Sequence, residues 1–251
     1  MAGNIPIKTS EQIEAMRKGG AILKKTLEIV SKAVKPGVST FELDQIAEKF
    51  ILSHKGAKPG FKGYRGFPAT LCTSVNEEVV HGIPSQDVIL QDGDIVGIDC
   101  GVYYKGLYTD ACVTVLVGKV DPMVRHFVKI TKKALSNALK KIRPGGRIGD
   151  ISAIIQKTLE DQDYSPVVEC TGHGVGKDLH EPPEILNKGR KGTGPLIKPG
   201  MTFAIEPISA MNGGAIQTVE DGWTVITADG SLSAHFEHTV LVTEKGYEII
   251  V

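Results

Sequence analysis

The sequence predicts a mixed α/β (α+β) chain built as two pseudo-twofold related halves, with helices outside and an antiparallel-rich sheet at the centre. Three observations predict it: helical and strand-like patterns alternate, their order occurs twice, and two pairs of acidic residues occupy equivalent places in the two passes. The 251 residues, 41% of them hydrophobic, suffice for a large core. They read as one domain over 1–251, with internal halves of about 5–120 and 121–251.

The first element is an amphipathic helix with Ile13, Met16, Gly20, Leu23, Leu27 and Val30 on one face, and Thr9 with Gln12 three positions later supplies its capping signal. A second helix follows KPGVST, with Ser39 and Glu42 as the capping pair. A loop rich in glycine and aromatics comes next, then β-prone stretches at LCTSV, DIVGID and ACVTVLV. Asp121 and Pro122 then cap and open a long helix carrying Val124, Phe127, Val128, Ala134, Leu135, Ala138 and Leu139, which Pro144 and Gly145 are expected to stop.

From there the pattern starts again. Aligning Pro36 with Pro144 puts Gly37 on Gly145, Glu42 on Asp150, Leu43 on Ile151, Ile46 on Ile154 and Ile51 on Leu159 without a gap. Further on, DGDIVGID and PGMTFAIE superpose Gly93 on Gly200 and Asp99 on Glu206, while TDACVTV and FEHTVLV superpose Asp110 on Glu237. Acids match acids, so a pseudo-twofold fold carries them toward its axis, and a site between the halves follows.

Composition narrows the function classes. Lys+Arg and Asp+Glu both number 29, so no net field draws the chain to nucleic acid or to an anionic membrane. The opening MAGNIPIKTSEQIEAMRKGG lacks the features of a secretory signal, and no apolar run reaches bilayer length. The expectation is a soluble cytoplasmic protein. Cys72, Cys100, Cys112 and Cys170 are scattered without CxxC spacing, which fits buried reduced thiols rather than a zinc ribbon or a disulfide framework.

Asp99 and Glu206 each close an apolar run, which places them at the inner ends of buried strands. A single such acid usually caps a turn or pairs with a lysine. Four symmetric acids, Asp99, Asp110, Glu206 and Glu237, would repel one another unless positive charge is supplied, and no cluster of arginines supplies it. Two divalent cations cancel four carboxylates. His173, between glycines in TGHGVG, is the candidate nitrogen ligand. His180 in DLHEPP and His81 in VVHGIP can face the same cleft, whereas His54 and His126 fall on helical segments and read as structural or solvated. His235 and His238 flank Glu237 and are left ambiguous, since strand alternation would point both away from its face. Oxygen ligands with one histidine suit manganese, iron, cobalt or zinc, and two such ions are suited to hydrolysing an amide.

The segments GYRGFP, TSVNEEVVHGIP, GDIVGIDCG, YTDACV, TGHGVG, HEPP, FAIEP, DGWTV and LSAHFEHT, in this order and across nearly the whole chain, resemble type I methionine aminopeptidases. The resemblance implies the pita-bread fold and a dinuclear metal centre held by Asp99, Asp110, His173, Glu206 and Glu237. Asp110 and Glu237 would bridge the two metals, Asp99 would chelate one, and His173 and Glu206 would hold the other. It further implies that Glu206 moves a proton, that His180 steadies the carbonyl or tetrahedral oxygen, and that His81 contacts the amide of the second substrate residue. A methionine pocket lined by Tyr64, Phe67, Cys72, His81 and Trp223 follows from the same resemblance, as does a structural sodium or potassium ion beside Asn76 and Ser233. The implied substrate is the N-terminal methionine of nascent polypeptides with a small second residue. A transient ribosome contact and a monomeric state are further expectations, with no membrane and no specific nucleic-acid partner.

Phe67, Leu179 and His235 depart from the better-known pattern, which puts tyrosine, phenylalanine and glutamine there. The 33-residue spacing from His173 to Glu206 leaves no room for the long insertion of type II enzymes. Two alternatives compete with this reading. An aminopeptidase P or prolidase shares the fold but usually carries a large N-terminal domain, and a non-enzymatic relative binding protein or RNA would be expected to have lost ligands or gained a basic tract.

Overall fold

The computed structural model describes residues 5–251, so the first four positions of the stretch read for a secretory signal lie outside the described residues. Helix α1 (Ser10–Ala33) starts where the Thr9 hydroxyl accepts from the Gln12 N–H at 3.3 Å and the Gln12 side chain accepts from the Thr9 N–H at 2.9 Å. Helix α2 (Thr40–Leu52) repeats this device with Ser39 and Glu42. Helix α3 (Pro122–Leu139) begins behind Asp121, whose carboxylate accepts from the Met123 N–H at 2.7 Å. It ends before Pro144, because the N–H groups of Lys141 and Ile142 turn back to the carbonyls of Ala138 and Leu139 and tighten the chain into a turn. Helix α4 (Ile148–Glu160) keeps half of the capping box, with Asp150 accepting from the Arg147 N–H at 3.1 Å. Helices α2 and α4 each have 13 residues and begin at aligned positions of the repeat.

In the first half, strand Ile95–Tyr104 pairs antiparallel with Leu107–Leu116 on one side and with Leu71–Val75 and Ala57–Pro59 on the other. In the second half a five-stranded antiparallel sheet runs Gly246–Ile249, His238–Thr243, Thr202–Ile205, Thr171–Gly174, Glu181–Leu186. A small sheet of Ile216–Thr218, Val225–Thr227 and Glu78–Val80 draws strands from both halves, and another joins Ser233–His235, Ile208–Ala210 and Ser165–Pro166. This is the pita-bread architecture expected from the sequence.

The strand read at DIVGID runs through Asp99 to Tyr104, so Asp99 stands mid-strand rather than at an inner end. The β-prone CGVYY continues the ladder until a two-residue hairpin turn, Lys105–Gly106, with φ of 49° and 87°, reverses it. Glu206 does follow its strand, Thr202–Ile205, directly.

Each half has its own core. Helices α1 and α2 cover the first sheet around Leu23, Leu43, Ile51, Leu71 and Ile98, and α3 and α4 cover the second around Phe127, Ile151, Ile155 and Phe203. Phe127 is fully enclosed, and truncating such a ring to alanine costs about 3–5 kcal/mol. The halves meet where strand Leu107–Leu116 lies against residues 235–239. The Thr239 hydroxyl accepts from the Asp110 N–H at 2.9 Å and donates to the Asp110 carbonyl at 2.7 Å. The Thr114 hydroxyl does the same for His235 at 2.9 and 2.8 Å, and the Glu237 N–H donates to the Cys112 carbonyl at 2.9 Å. No helix among the described residues is long and apolar enough to cross a membrane.

Candidate metal centre

Register brings the acids together. Asp99 lies opposite Cys112 and Gly101 lies opposite Asp110, so the two acids are a diagonal pair on neighbouring strands, on one face of the ladder. In the second half Ile205 pairs with His238, which sets Glu206 and Glu237 facing each other just beyond the ladder. His173 pairs with Ala204, two residues before Glu206 and therefore on the same face. The ties through Thr239 and Cys112 then press the two acid pairs against the same axis.

The ligand atoms converge accordingly. One atom each from Asp110, His173 and Glu237 lie within 4.8 Å of one another, and all three residues are buried. His173 Nε2 stands 3.4 Å from Glu206 Oε1 and 4.0 Å from Asp110 Oδ2. His173 Nδ1 is 2.9 Å from the Gly174 carbonyl, an acceptor only, which puts the proton on Nδ1 and leaves the Nε2 lone pair toward the acids. Asp99 and Glu206 stand outside the tight trio but adjoin it through Asp110 and His173.

The electrostatics of this cluster call for cations. Burial pushes the carboxyl groups of Asp110, Glu206 and Glu237 well above the usual range, and neighbouring acids add to the rise for Asp110 and Glu237. Asp99 is raised to about 7, again mainly by burial. Asp99 Oδ1, Asp110 Oδ1 and Glu237 Oε1 are buried without a hydrogen-bond partner, and no lysine or arginine among the described residues pairs with any of the four acids. Orphaned buried carboxylate oxygens beside an imidazole nitrogen are the donor set of a first-row divalent metal site, so the residues present fit such ions.

A cleft of about 890 Å³ opens onto the cluster, within the range of small-ligand sites. His180 stands beside His173, ring centroids 4.4 Å apart, with Nδ1 3.1 Å from the Tyr64 hydroxyl. Burial lowers the pKa of His173 and of His180 to about 4 each, so both rings are neutral near neutral pH. His81 has a positive φ of 60°, unusual for a side-chain-bearing residue, and reaches the cleft 6.5 Å from the Trp223 ring. Desolvation lowers its pKa too. Phe67 is buried and meets Trp223 edge-on at 5.2 Å, and Cys72, opposite Asp99 in the ladder, completes an apolar wall with Phe61 and Leu179. Away from the cleft, the Asn76 carbonyl accepts from the Ser233 N–H at 2.8 Å, which brings these two residues together.

His235 requires a correction. Alternation was expected to point it away from the site, yet its ring is buried in the cleft wall with Nε2 3.5 Å from Glu206 Oε2. Strand Ser233–His235 ends before Phe236 and the next strand begins at His238, so alternation does not run through Glu237. Glu206 therefore lies between two imidazoles. Sequence reasoning also passed over Phe61 and Arg65, which line the cleft, because a glycine-rich loop has no period from which a wall residue can be read.

The model of metallopeptidase family M24 matches residues 14–244. The chain belongs to this family. The methionine aminopeptidase of Clostridium acetobutylicum is 45% identical over 246 residues, 98% of each chain. A crystal structure of methionine aminopeptidase from Thermotoga maritima matches with a TM-score of 0.97 at 44% identity, covering 98% of this chain and 99% of that one. The prolidase from Pyrococcus furiosus also matches, with a TM-score of 0.76 at 25% identity, but the match covers only 64% of that longer chain.

Proposed function

We propose that this chain is a metal-dependent aminopeptidase that removes the N-terminal methionine from newly made polypeptides with a small second residue, working as a single catalytic unit. The observation that carries the reading is the buried convergence of Asp110, His173 and Glu237, with Asp99 and Glu206 beside them, at the end of an apolar-walled cleft. Full-length similarity to enzymes named methionine aminopeptidase favours this substrate over that of a prolidase.

Asp99, Asp110, His173, Glu206 and Glu237 would hold two divalent ions, with manganese, iron, cobalt and zinc all suited to the donors. When bound, such ions supply Lewis acidity at the scissile carbonyl and lower the pKa of a water. The remaining work belongs to the chain. In the tautomer that accepts the Tyr64 O–H hydrogen bond at Nδ1, the neutral His180 ring carries Nε2–H as a donor for the oxyanion that forms at the carbonyl. Glu206 takes the proton of the attacking water and returns it to the leaving amine, its Oε2 faced by His235. His81 orients the peptide at the amide of the second residue. Tyr64, Phe67, Cys72 and Trp223 exclude water around the methionine thioether, and Phe67 in place of tyrosine makes that wall more apolar. The same reading puts a monovalent cation beside Asn76 and Ser233, a cytoplasmic location, a monomer and a transient contact with the ribosome.

Hydrolysis of Met-Ala-Ser and of Ala-Pro by chelator-stripped protein, before and after adding manganese or cobalt, tests the proposal. Metal-dependent release of methionine alone is expected. Cleavage of Ala-Pro alone would give the chain the substrate of a prolidase, and cleavage of neither would remove the enzyme reading.

A further inference from the structure

Lys8 precedes the first helix, remote in sequence from every residue of the cleft. Its side chain is nevertheless enclosed, with 3% exposure, and forms an ion pair with Glu181, whose side chain has 5% exposure. The other oxygen of that carboxylate, Oε1, accepts from the Lys177 N–H at 2.7 Å and from the Asp178 N–H at 3.3 Å. The slot is shaped for the pair: a Cβ on Gly176 would lie 2.3 Å from Lys8 Cε and 2.8 Å from Glu181 Oε1. Main-chain bonds fix both sides of it. The Lys8 N–H donates to the Gly200 carbonyl at 2.8 Å, and the Gly176 carbonyl accepts from the Tyr108 N–H at 2.7 Å.

The residue before Glu181 is His180. Its ring is accessible from the cleft, and among the described residues it hydrogen-bonds only with Tyr64. The ring's place is therefore set largely by the backbone that carries it, and that backbone is held where Glu181 is saturated by three donors. Stability alone accounts poorly for the arrangement, because a buried ion pair is often no more stable than the apolar pair that could replace it.

We propose that the Lys8–Glu181 pair is a positioning device for His180, pinning the loop from Val175 to Glu181 so that the imidazole is presented at a fixed place beside His173. Lys8 and Glu181 act through His180 and touch no substrate. This rests on the role given to His180 in the proposed function.

Three proteins test it: wild type, Lys8→Met and Lys8→Met/Glu181→Gln. Each is measured by methionine release from Met-Ala-Ser with metal, by calorimetric titration of manganese, and by NMR of ¹⁵N-labelled histidine rings in the metal-free state. Lys8→Met leaves a buried carboxylate without its cation. It should lower kcat about 100-fold, the scale of an ångström's misplacement, while KM stays within about threefold and the manganese isotherm is unchanged. The His180 ring signals, identified by their loss in His180→Gln, should move or broaden. In the double variant the amide oxygen keeps both backbone N–H bonds without a charge to solvate, so at least about tenfold of kcat should return.

Wild-type kcat and wild-type His180 signals in Lys8→Met would overturn the proposal. So would a loss confined to metal affinity or to melting temperature, or a double variant no better than the single one. Should wild type release no methionine, the functional reading fails, and the ring signals still decide whether the pair sets His180.

Discussion

The two halves repeat each other in charge and differ in chemistry. Each delivers two acids to the axis, Asp99 and Asp110 from the first, Glu206 and Glu237 from the second. The first half adds Tyr64, Phe67, Cys72 and a single imidazole, His81, whereas the second adds Trp223 and three imidazoles, His173, His180 and His235. Their strands differ in the same sense. Ile95–Tyr104 and Leu107–Leu116 form an unbroken hairpin of two ten-residue strands, while the second half breaks its ladder before Glu237 and after Ile205. A regular hairpin can hold two carboxylates on one face, but bringing in imidazoles from a loop, a strand and a strand end needs interruptions. The repeat supplies the symmetric charge, Glu206 included, and the departures from it supply the other groups proposed to act on substrate.

Removing charge from the shared part should have the largest effect. Asp110→Asn should weaken divalent-metal binding by at least about 100-fold in calorimetry, more than loss of an outer partner of a ligand costs, and activity should fall with it. Wild-type affinity in that variant would detach Asp110 from the metal. His180→Ala strikes the second half's own contribution. It should keep metal affinity while kcat drops about 100- to 1,000-fold, as when an oxyanion donor is lost.

Thr239→Val cuts the join between the halves. It strands the Asp110 N–H and carbonyl, so unfolding in urea should show a loss of about 2–3 kcal/mol. An unchanged midpoint would show that the join does not carry load.

Titration gives a milder effect. Burial raises Asp99 to about 7, so its contribution to folding is present below the unfolded carboxylate pKa and is lost as pH rises through about 7. Metal-free protein should therefore melt lower at about pH 8 than at about pH 6, and manganese should abolish the difference. The reverse slope would mean that the acids are not held protonated in the absence of metal. Smallest of all, Phe67→Tyr adds a hydroxyl to the wall against Trp223 and should change KM by less than about tenfold with kcat retained.

Much of this was legible in the sequence because it depends on periodicity and local caps. The boxes at Thr9 and Ser39, the Asp121–Pro122 start and the gapless Pro36/Pro144 register all follow from short-range rules, and the repeat placed four acids at one axis. The illegible parts depend on contacts distant in the chain or on breaks in a pattern. The extension of the strand beyond Asp99 is set by the Lys105–Gly106 turn, the inward His235 by a ladder that stops at the residue itself, and the enclosed Lys8 by a partner 173 positions away. The turn is a local signal, but no local propensity encodes the other two.

On the proposed function, both halves hold divalent metal in common and activity depends on it. The most direct test is stepwise titration of manganese into chelator-stripped protein, with bound metal and methionine release followed at every addition. Release should be absent at the start, rise in step with occupancy and saturate at two ions per chain. Full release by stripped protein, or metal bound without any gain in release, would contradict that function.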